Sequence, residues 1–175
     1  DRRMIRRLAV AAALMGFALP ASAAEWERCF IDAGARYRVS PLLLRAIARQ
    51  ESSFRADAVN VNTNGTRDIG VMQINTWWLD GPLSKAGISE DHLFQPCVNI
   101  HVGAWILANE IQRHGISWKA IGSYHSPTEW RQADYALRIR RHLIRELRAL
   151  GKDIALPPPP PRVAAPPVQL ADASQ

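Results

Sequence analysis

The residue in this chain best suited to moving a proton is Glu51, the only acid of the stretch "RQESSF", which ends a run, "LLLRAIARQE", patterned like a helix packed into a core. On a helix starting at Pro41, Leu44, Ile47, Ala48 and Glu51 are related by three, four and seven positions and share one face. The Glu51 carboxyl therefore points where the apolar side chains point. Arg45 and Arg49 project elsewhere and offer no simple intrahelical partner. Desolvation against apolar neighbours and the partial negative charge at a helix C-terminus both favour the protonated acid. A carboxylic acid that keeps its proton near neutral pH is what general acid catalysis needs. The same placement also suits a structural acid held by hydrogen bonds, and this helix alone does not separate the two.

Other chemistries are poorly served. The five histidines are scattered, with no close pair plus carboxylate at zinc spacing, and no Gly-x-Ser-x-Gly elbow or phosphate loop occurs. No metal site and no cofactor is expected.

The elements that must position Glu51 read as mostly helical over about 125 residues. "EWERCFIDAGARY" repeats apolar residues at Trp26, Phe30, Ala33 and Tyr37, with Cys29 beside that face. Ser40 is a candidate N-cap and Pro41 a first helical residue for the Glu51 helix. "CVNIHVGAWILANEIQRHG" is apolar on most sides, as a central buried helix would be, and ends at Gly115. "SWKAIGSY" predicts a short helix capped by Ser117. "TEWRQADYALRIRRHLIRELRAL" puts Ile139, Leu143, Leu147 and Leu150 on one stripe and ends at Gly151. The segment "VNVNTNGTRDIGVMQIN" breaks the helical pattern: Asn64-Gly65 is a hairpin signal, with Val59 and Val61 on one arm and Asp68 and Ile69 on the other. Trp77 and Trp78 suit the lining of a glycan cleft, since aromatic faces suit sugar rings, although tryptophans in a small domain more often fill the core.

Both ends differ from this body. "RRMIRR", "LAVAAALMGFAL" and "PASAA" follow one another as the basic, apolar and cleavage regions of a secretory signal peptide, with cleavage after Ala23 or Ala24. Twelve apolar residues fall short of the roughly 20 that span a bilayer, so no stable membrane anchor is expected. Removing residues 1–23 takes away four Arg and one Asp and lowers the net charge from +6 to +3. The densest basic run, "RIRRHLIRELR", reads as the solvated face of a helix, and nucleic-acid binding is not expected. In an oxidising compartment Cys29 and Cys97 are expected to pair, which in the chain-entropy model contributes about 4 kcal/mol; two separately buried thiols are the alternative. Beyond about Gly151, "LPPPPPRVAAPPVQLADASQ" excludes helix and sheet and favours extended polyproline, as a disordered tail or spacer.

From Glu51 onward the motifs converge. A Glu-Ser pair ends one helix, an Asn-rich hairpin follows, then "GVMQIN", "NIHVGAWIL" with Asn99, Ile100 and Gly103, and "AIGSYHS" with Tyr124. This combination, over about residues 28–135, resembles the lysozyme-like superfamily. It is similar to lytic transglycosylases of the soluble-transglycosylase type, particularly the small signal-bearing members that accompany type III and type IV secretion or conjugation machines. The chain departs from the family's Ala-x-Ala-Tyr-Asn-x-Gly by placing His125 where Asn stands and by lacking the Gly. The resemblance implies cleavage of the β-1,4 bond between N-acetylmuramic acid and N-acetylglucosamine, with Glu51 as acid and then base and a 1,6-anhydromuramyl product. It also implies that Ser52, Gln73, Asn75 and Tyr124 hold the sugar or orient the acid; the alternative for each is a structural hydrogen bond. The same segment resembles animal-type lysozymes, in which an Asp spaced like Asp68 assists the oxocarbenium ion. Asp68 is therefore a possible second catalytic acid, or a turn-stabilising one.

The resulting expectation is a mainly helical α+β, lysozyme-like fold with a small β-hairpin beside the catalytic helix. The domains would be a signal peptide over 1–23, the transglycosylase domain over 24–152 and the Pro-rich tail over 153–175. The protein would act as a periplasmic or secreted monomer on peptidoglycan glycan strands and could contact secretion or conjugation components. The alternatives are a hydrolytic muramidase using Asp68 and a non-catalytic wall-binding assembly protein.

Overall fold

The computed structural model describes residues 21–165, so most of the leader expected over 1–23, and the tail beyond 165, lie outside the described residues. Seven α-helices are described: α1 (Ala21–Tyr37), α2 (Pro41–Ser52), α3 (Pro82–Lys85), α4 (Glu90–Leu93), α5 (Pro96–His114), α6 (Trp118–His125) and α7 (Glu129–Ala149). Three short strands lie between α2 and α3: β1 (Val59–Val61), β2 (Arg67–Ile69) and β3 (Ile74–Asn75), followed by a 3₁₀ turn at Thr76–Asp80. The protein is thus mainly helical with one small antiparallel sheet.

Helix α2 starts as its residues dictate. The Ser40 hydroxyl accepts from the Leu43 N–H and Pro41 takes the first turn, where a missing N–H costs nothing. Leu44, Ile47 and Ala48 are fully buried. Helix α5 runs through the core, burying Ile100, Val102, Ala104, Ile106 and Leu107, and stops at Gly115, whose φ of 68° is left-handed. In α6 the Ser117 hydroxyl accepts from Ala120 N–H at 3.2 Å. On α7, Ile139 and Leu147 are buried while Leu150 is 55% exposed. The apolar stripe ends a turn earlier than its sequence spacing predicts, because Leu150 lies past the helix end. Helix α1 packs on α5, and α7 packs on both α2 and α6. A disulfide joins Cys29 of α1 to Cys97 of α5, with Cα atoms 5.2 Å apart.

The hairpin forms around Asn64-Gly65, with Val59 opposite Ile69, Asn60 opposite Asp68 and Val61 opposite Arg67. Its loop is three residues long, with Asn62 N–H donating to the Thr66 carbonyl and Gly65 taking a left-handed φ of 82°. Strand β3 adds to the other edge of β2 and sets Asn75 opposite Asp68. At two residues it is too short to announce itself by alternation. Asp68 consequently sits at the middle of the sheet with an asparagine on each side.

One side chain of α5 fastens this sheet to the helical core. Fully buried Asn99 donates to the Ile69 and Leu93 carbonyls, each at 2.8 Å, and accepts from Met72 N–H at 2.7 Å. A buried backbone group left without a partner costs about 1–3 kcal/mol, so these bonds tie the sheet firmly to α5. Gly70 is required beside it: φ is 78°, and a Cβ would lie 2.5 Å from Asn99 Nδ2. Gly103, one turn along α5 from Asn99, meets Met72 in the same way, since an added Cβ would lie 2.9 Å from three Met72 side-chain atoms. Gly103→Ala should therefore lower stability by about 1–3 kcal/mol through overpacking. An unchanged urea midpoint would show that Met72 moves aside freely.

Candidate active site

The turn after Glu51 is held in an unusual conformation. Ser53 and Phe54 have φ of 54° and 62°, left-handed values that cost a non-glycine residue of order 1–3 kcal/mol each. Phe54 is pinned from several sides. Its ring meets Phe30 edge-on at 6.1 Å, and the guanidinium groups of Arg45 and Arg49 lie 5.5 and 4.9 Å from its centroid. The same two arginines hold buried Glu146 of α7, at 2.9 Å from Arg45 Nε and 2.9 Å from Arg49 Nη2, and Arg45 also pairs with Glu27. Burial pushes Glu146 up, but these hydrogen bonds and charges outweigh it and leave the carboxyl below its ordinary range. The cations of α2 thus serve the junction with α7 and leave Glu51 without one in contact.

That junction brings Tyr135 of α7 to Glu51. The Tyr135 hydroxyl donates to Glu51 Oε1 at 2.5 Å. Burial pushes Glu51 up from 4.5 to about 7; the Tyr135 hydrogen bond works against this, the Asp68 charge adds to it, and Arg138 opposes it more weakly. Burial, reinforced by the neighbouring acid, also raises Tyr135 well above the ordinary phenol range, so it remains a donor. Because Tyr135 stabilises the charged carboxylate, Tyr135→Phe should raise Glu51 above about 7, as read by a carbon NMR titration of the Glu51 carboxyl. An unchanged or lower value would show that the hydroxyl does not set this acid.

Glu51 opens onto a cleft of about 990 Å³. One wall is the sheet, with Asn60, Asn62, Asp68, Gln73 and Asn75; the other is the end of α6 and the loop after it, with Tyr124, His125, Ser126 and Pro127. Asp68 faces the same cleft as Glu51, and its carboxylate is already engaged by three amides. Asn75 Nδ2 donates to one oxygen at 2.7 Å, and Asn60 and Asn62 Nδ2 donate to the other at 3.2 and 3.1 Å. Gln73 has a left-handed φ of 50°, and its amide donates to the Gly70 carbonyl at 3.0 Å and the Ala58 carbonyl at 3.2 Å. Ser52 is buried; its hydroxyl donates to the Val71 carbonyl at 2.8 Å and accepts from Arg55 N–H at 3.0 Å. The Tyr124 hydroxyl donates to the Met72 carbonyl at 2.8 Å, so Asn99 and Tyr124 grip the Met72 residue at its N–H and its C=O. Burial, with the charges of Glu51 and Asp68, pushes Tyr124 well above the ordinary phenol range.

Trp78 lines the cleft, with Trp77, 60% exposed, edge-on to it at 5.0 Å and Trp105 behind it at 5.5 Å. His125 stacks flat on Tyr135, with centroids 4.7 Å apart and planes within 3°. Sequence reasoning missed Tyr135 as a site residue. The signal was its position one turn before Ile139 on the buried stripe of α7, where a hydroxyl must find a partner. Among the described residues, no group of three or more His, Cys, Asp or Glu is placed to hold a metal ion.

A mainly helical domain with an acid at a helix end, facing a three-stranded antiparallel sheet across a polar cleft, has the lysozyme-like fold. The fold matches a solved inactive mutant of lytic transglycosylase Slt from Pseudomonas aeruginosa with a TM-score of 0.58 and 21% identity, covering 75% of this chain and 25% of that one. The chain belongs to the transglycosylase SLT domain family, whose model matches residues 28–136. It is an enzyme of the lytic transglycosylase kind, acting on glycosidic bonds of peptidoglycan. It is also similar to invasion protein IagB of Salmonella typhi, with 36% identity over 126 residues, covering 71% of this chain and 78% of that protein. Protein IpgF of Shigella flexneri is 37% identical over 118 residues, covering 67% of this chain and 77% of its own.

Proposed function

We propose that this enzyme cleaves the β-1,4 bond between N-acetylmuramic acid and N-acetylglucosamine without consuming water. The observation that carries this reading is Glu51 itself, a carboxyl hydrogen-bonded by Tyr135 and open to the cleft, whose burial raises it to about 7. Protonated Glu51 gives its proton to the glycosidic oxygen as the C1–O bond breaks. The resulting carboxylate takes the proton of the muramyl C6 hydroxyl as that oxygen bonds to C1, which closes a 1,6-anhydro ring and restores the acid. One acid suffices, because the substrate supplies the nucleophile. The three amides on Asp68 support this account, since a carboxylate with both oxygens engaged is a weaker nucleophile. Its charge instead helps keep Glu51 protonated. Gln73, Asn75 and the Ser126–Pro127 loop line the sugar path, with Trp78 offering a face to a ring; Ser52 and Tyr124 act on the backbone that shapes it.

A second reading is hydrolysis assisted by Asp68, favoured by its place in the same cleft. Mass spectrometry of muropeptides released from purified sacculi separates the two. The anhydro product, lighter by one water, is expected; a reducing muramic acid end would overturn the non-hydrolytic reading. The leader pattern supports a periplasmic or secreted location, and no helix of the described residues is long and apolar enough to cross a membrane. Similarity to an invasion protein supports a role in opening the wall locally for a secretion, conjugation or pilus apparatus.

A further inference from the structure

The Pro-rich segment after α7 has a seat on the domain. Residues 152–165 form no helix or strand. The indole of Trp118, at the start of α6, donates its Nε1–H to the Pro158 carbonyl at 2.7 Å. Pro160 and Pro161 line one hollow with Trp118, Lys119 and Gln132, and Pro159 and Val163 line a second with Trp130 and Leu137. Leu156 and Pro160 are half-buried in this stretch.

We propose that the α6–α7 face is a polyproline-binding surface whose occupant is this chain's own segment 156–163. Three physical points support this assignment. Five consecutive prolines are already extended, so docking costs little backbone entropy. Proline carbonyls are strong acceptors in a segment whose prolines lack N–H donors, and a tryptophan indole on an apolar platform supplies the matching donor and a flat ring, as in aromatic grooves that read proline-rich peptides. The joint from the end of α7 at Ala149 to Leu156 is short, which sets an effective concentration of about millimolar, so a modest intrinsic affinity keeps the seat filled. The seat also adjoins the active cleft. Pro127 lines both the hollow beneath Pro160 and the cleft that holds Glu51, so the docked segment backs the loop that forms one cleft wall. A proline-rich partner reaches this face only by displacing the tail.

The test uses the full-length chain and a synthetic peptide of residues 155–164. In the variant carrying Pro157→Ser, Pro158→Ser, Pro159→Ser, Pro160→Ser and Pro161→Ser, the tail loses its extended bias and the seat empties. The expected result is that the Trp118 indole N–H resonance, assigned with Trp118→Phe, shifts in the serine variant and returns when peptide is added below about 1 mM. The unmodified chain should not respond at those concentrations. Adding Trp118→Phe to the serine variant keeps an aromatic face, though a smaller one, and removes the donor, and should weaken peptide binding by about threefold to tenfold. The proposal is overturned if the indole resonance is the same in both tails, if the peptide fails to bind the serine variant or binds both chains alike, or if Trp118→Phe leaves its affinity unchanged. None of these failures touches the reading of Glu51.

Discussion

Glu51→Gln should reduce release of muropeptides from purified sacculi by about 10²–10⁴-fold while leaving the fold and glycan binding intact. The amide keeps the shape of the side chain, and its oxygen can still accept from Tyr135, so the loss isolates the proton. A drop in turnover with little change in substrate binding is the pattern expected when an interaction made in the transition state is removed. Digestion at the original rate would sink the catalytic assignment and leave a wall-binding protein with a structural acid. Asp68→Asn is the informative companion. If Glu51 works alone, Asp68→Asn removes a charge that helps keep Glu51 protonated, so the alkaline limb of the pH–rate profile moves to lower pH with a much smaller loss at its optimum. A loss as large as that of Glu51→Gln would instead make Asp68 a participant in hydrolysis.

Much of this arrangement was legible in the sequence because it is carried by local rules. The Ser40-Pro41 start, the Leu44–Ile47–Ala48–Glu51 face and the Asn64-Gly65 hairpin each follow from spacing and turn chemistry within a dozen residues. What stayed hidden depends on contacts between distant segments. Tyr135 reaches Glu51 across 84 positions, through a helix junction fixed by Glu146, Arg45 and Arg49. Nothing in the spacing of α2 or α7 alone announces that meeting. The residues after the hairpin show the same divide. "GVMQIN" was visible as a motif, but its physical reason is non-local: Gly70 makes room for Asn99, and the Met72 residue is gripped by Asn99 and Tyr124. Asp68 was visible as an acid at a suggestive spacing, yet only strand β3 and the register of the sheet reveal the three amides around it.

The same substitution that removes activity should make the protein more stable, by an amount that grows as pH rises from about 4.5 to about 7. Glu51 has an ordinary value of 4.5 and is raised to about 7 in the fold, chiefly by burial. Between those two values the folded state holds a proton that the unfolded chain has released, so stability falls as pH rises across that window. Below it both states are protonated and no penalty exists. Above it both are ionised, and the full cost of keeping a carboxylate in the cleft floor is present, about 3 kcal/mol for a difference of this size. Glutamine carries no charge at any pH and avoids that cost. Urea unfolding at about pH 8 should therefore show Glu51→Gln more stable than the parent by up to about 3 kcal/mol, and the two curves should converge at about pH 4. A stability difference that is the same at both pH values would mean that the gain comes from packing and that Glu51 is not held protonated by its surroundings. Convergence at low pH would tie stability and catalysis to one physical cause: the fold tolerates a poorly solvated carboxyl between α2 and the sheet, and that strain keeps its proton available for transfer.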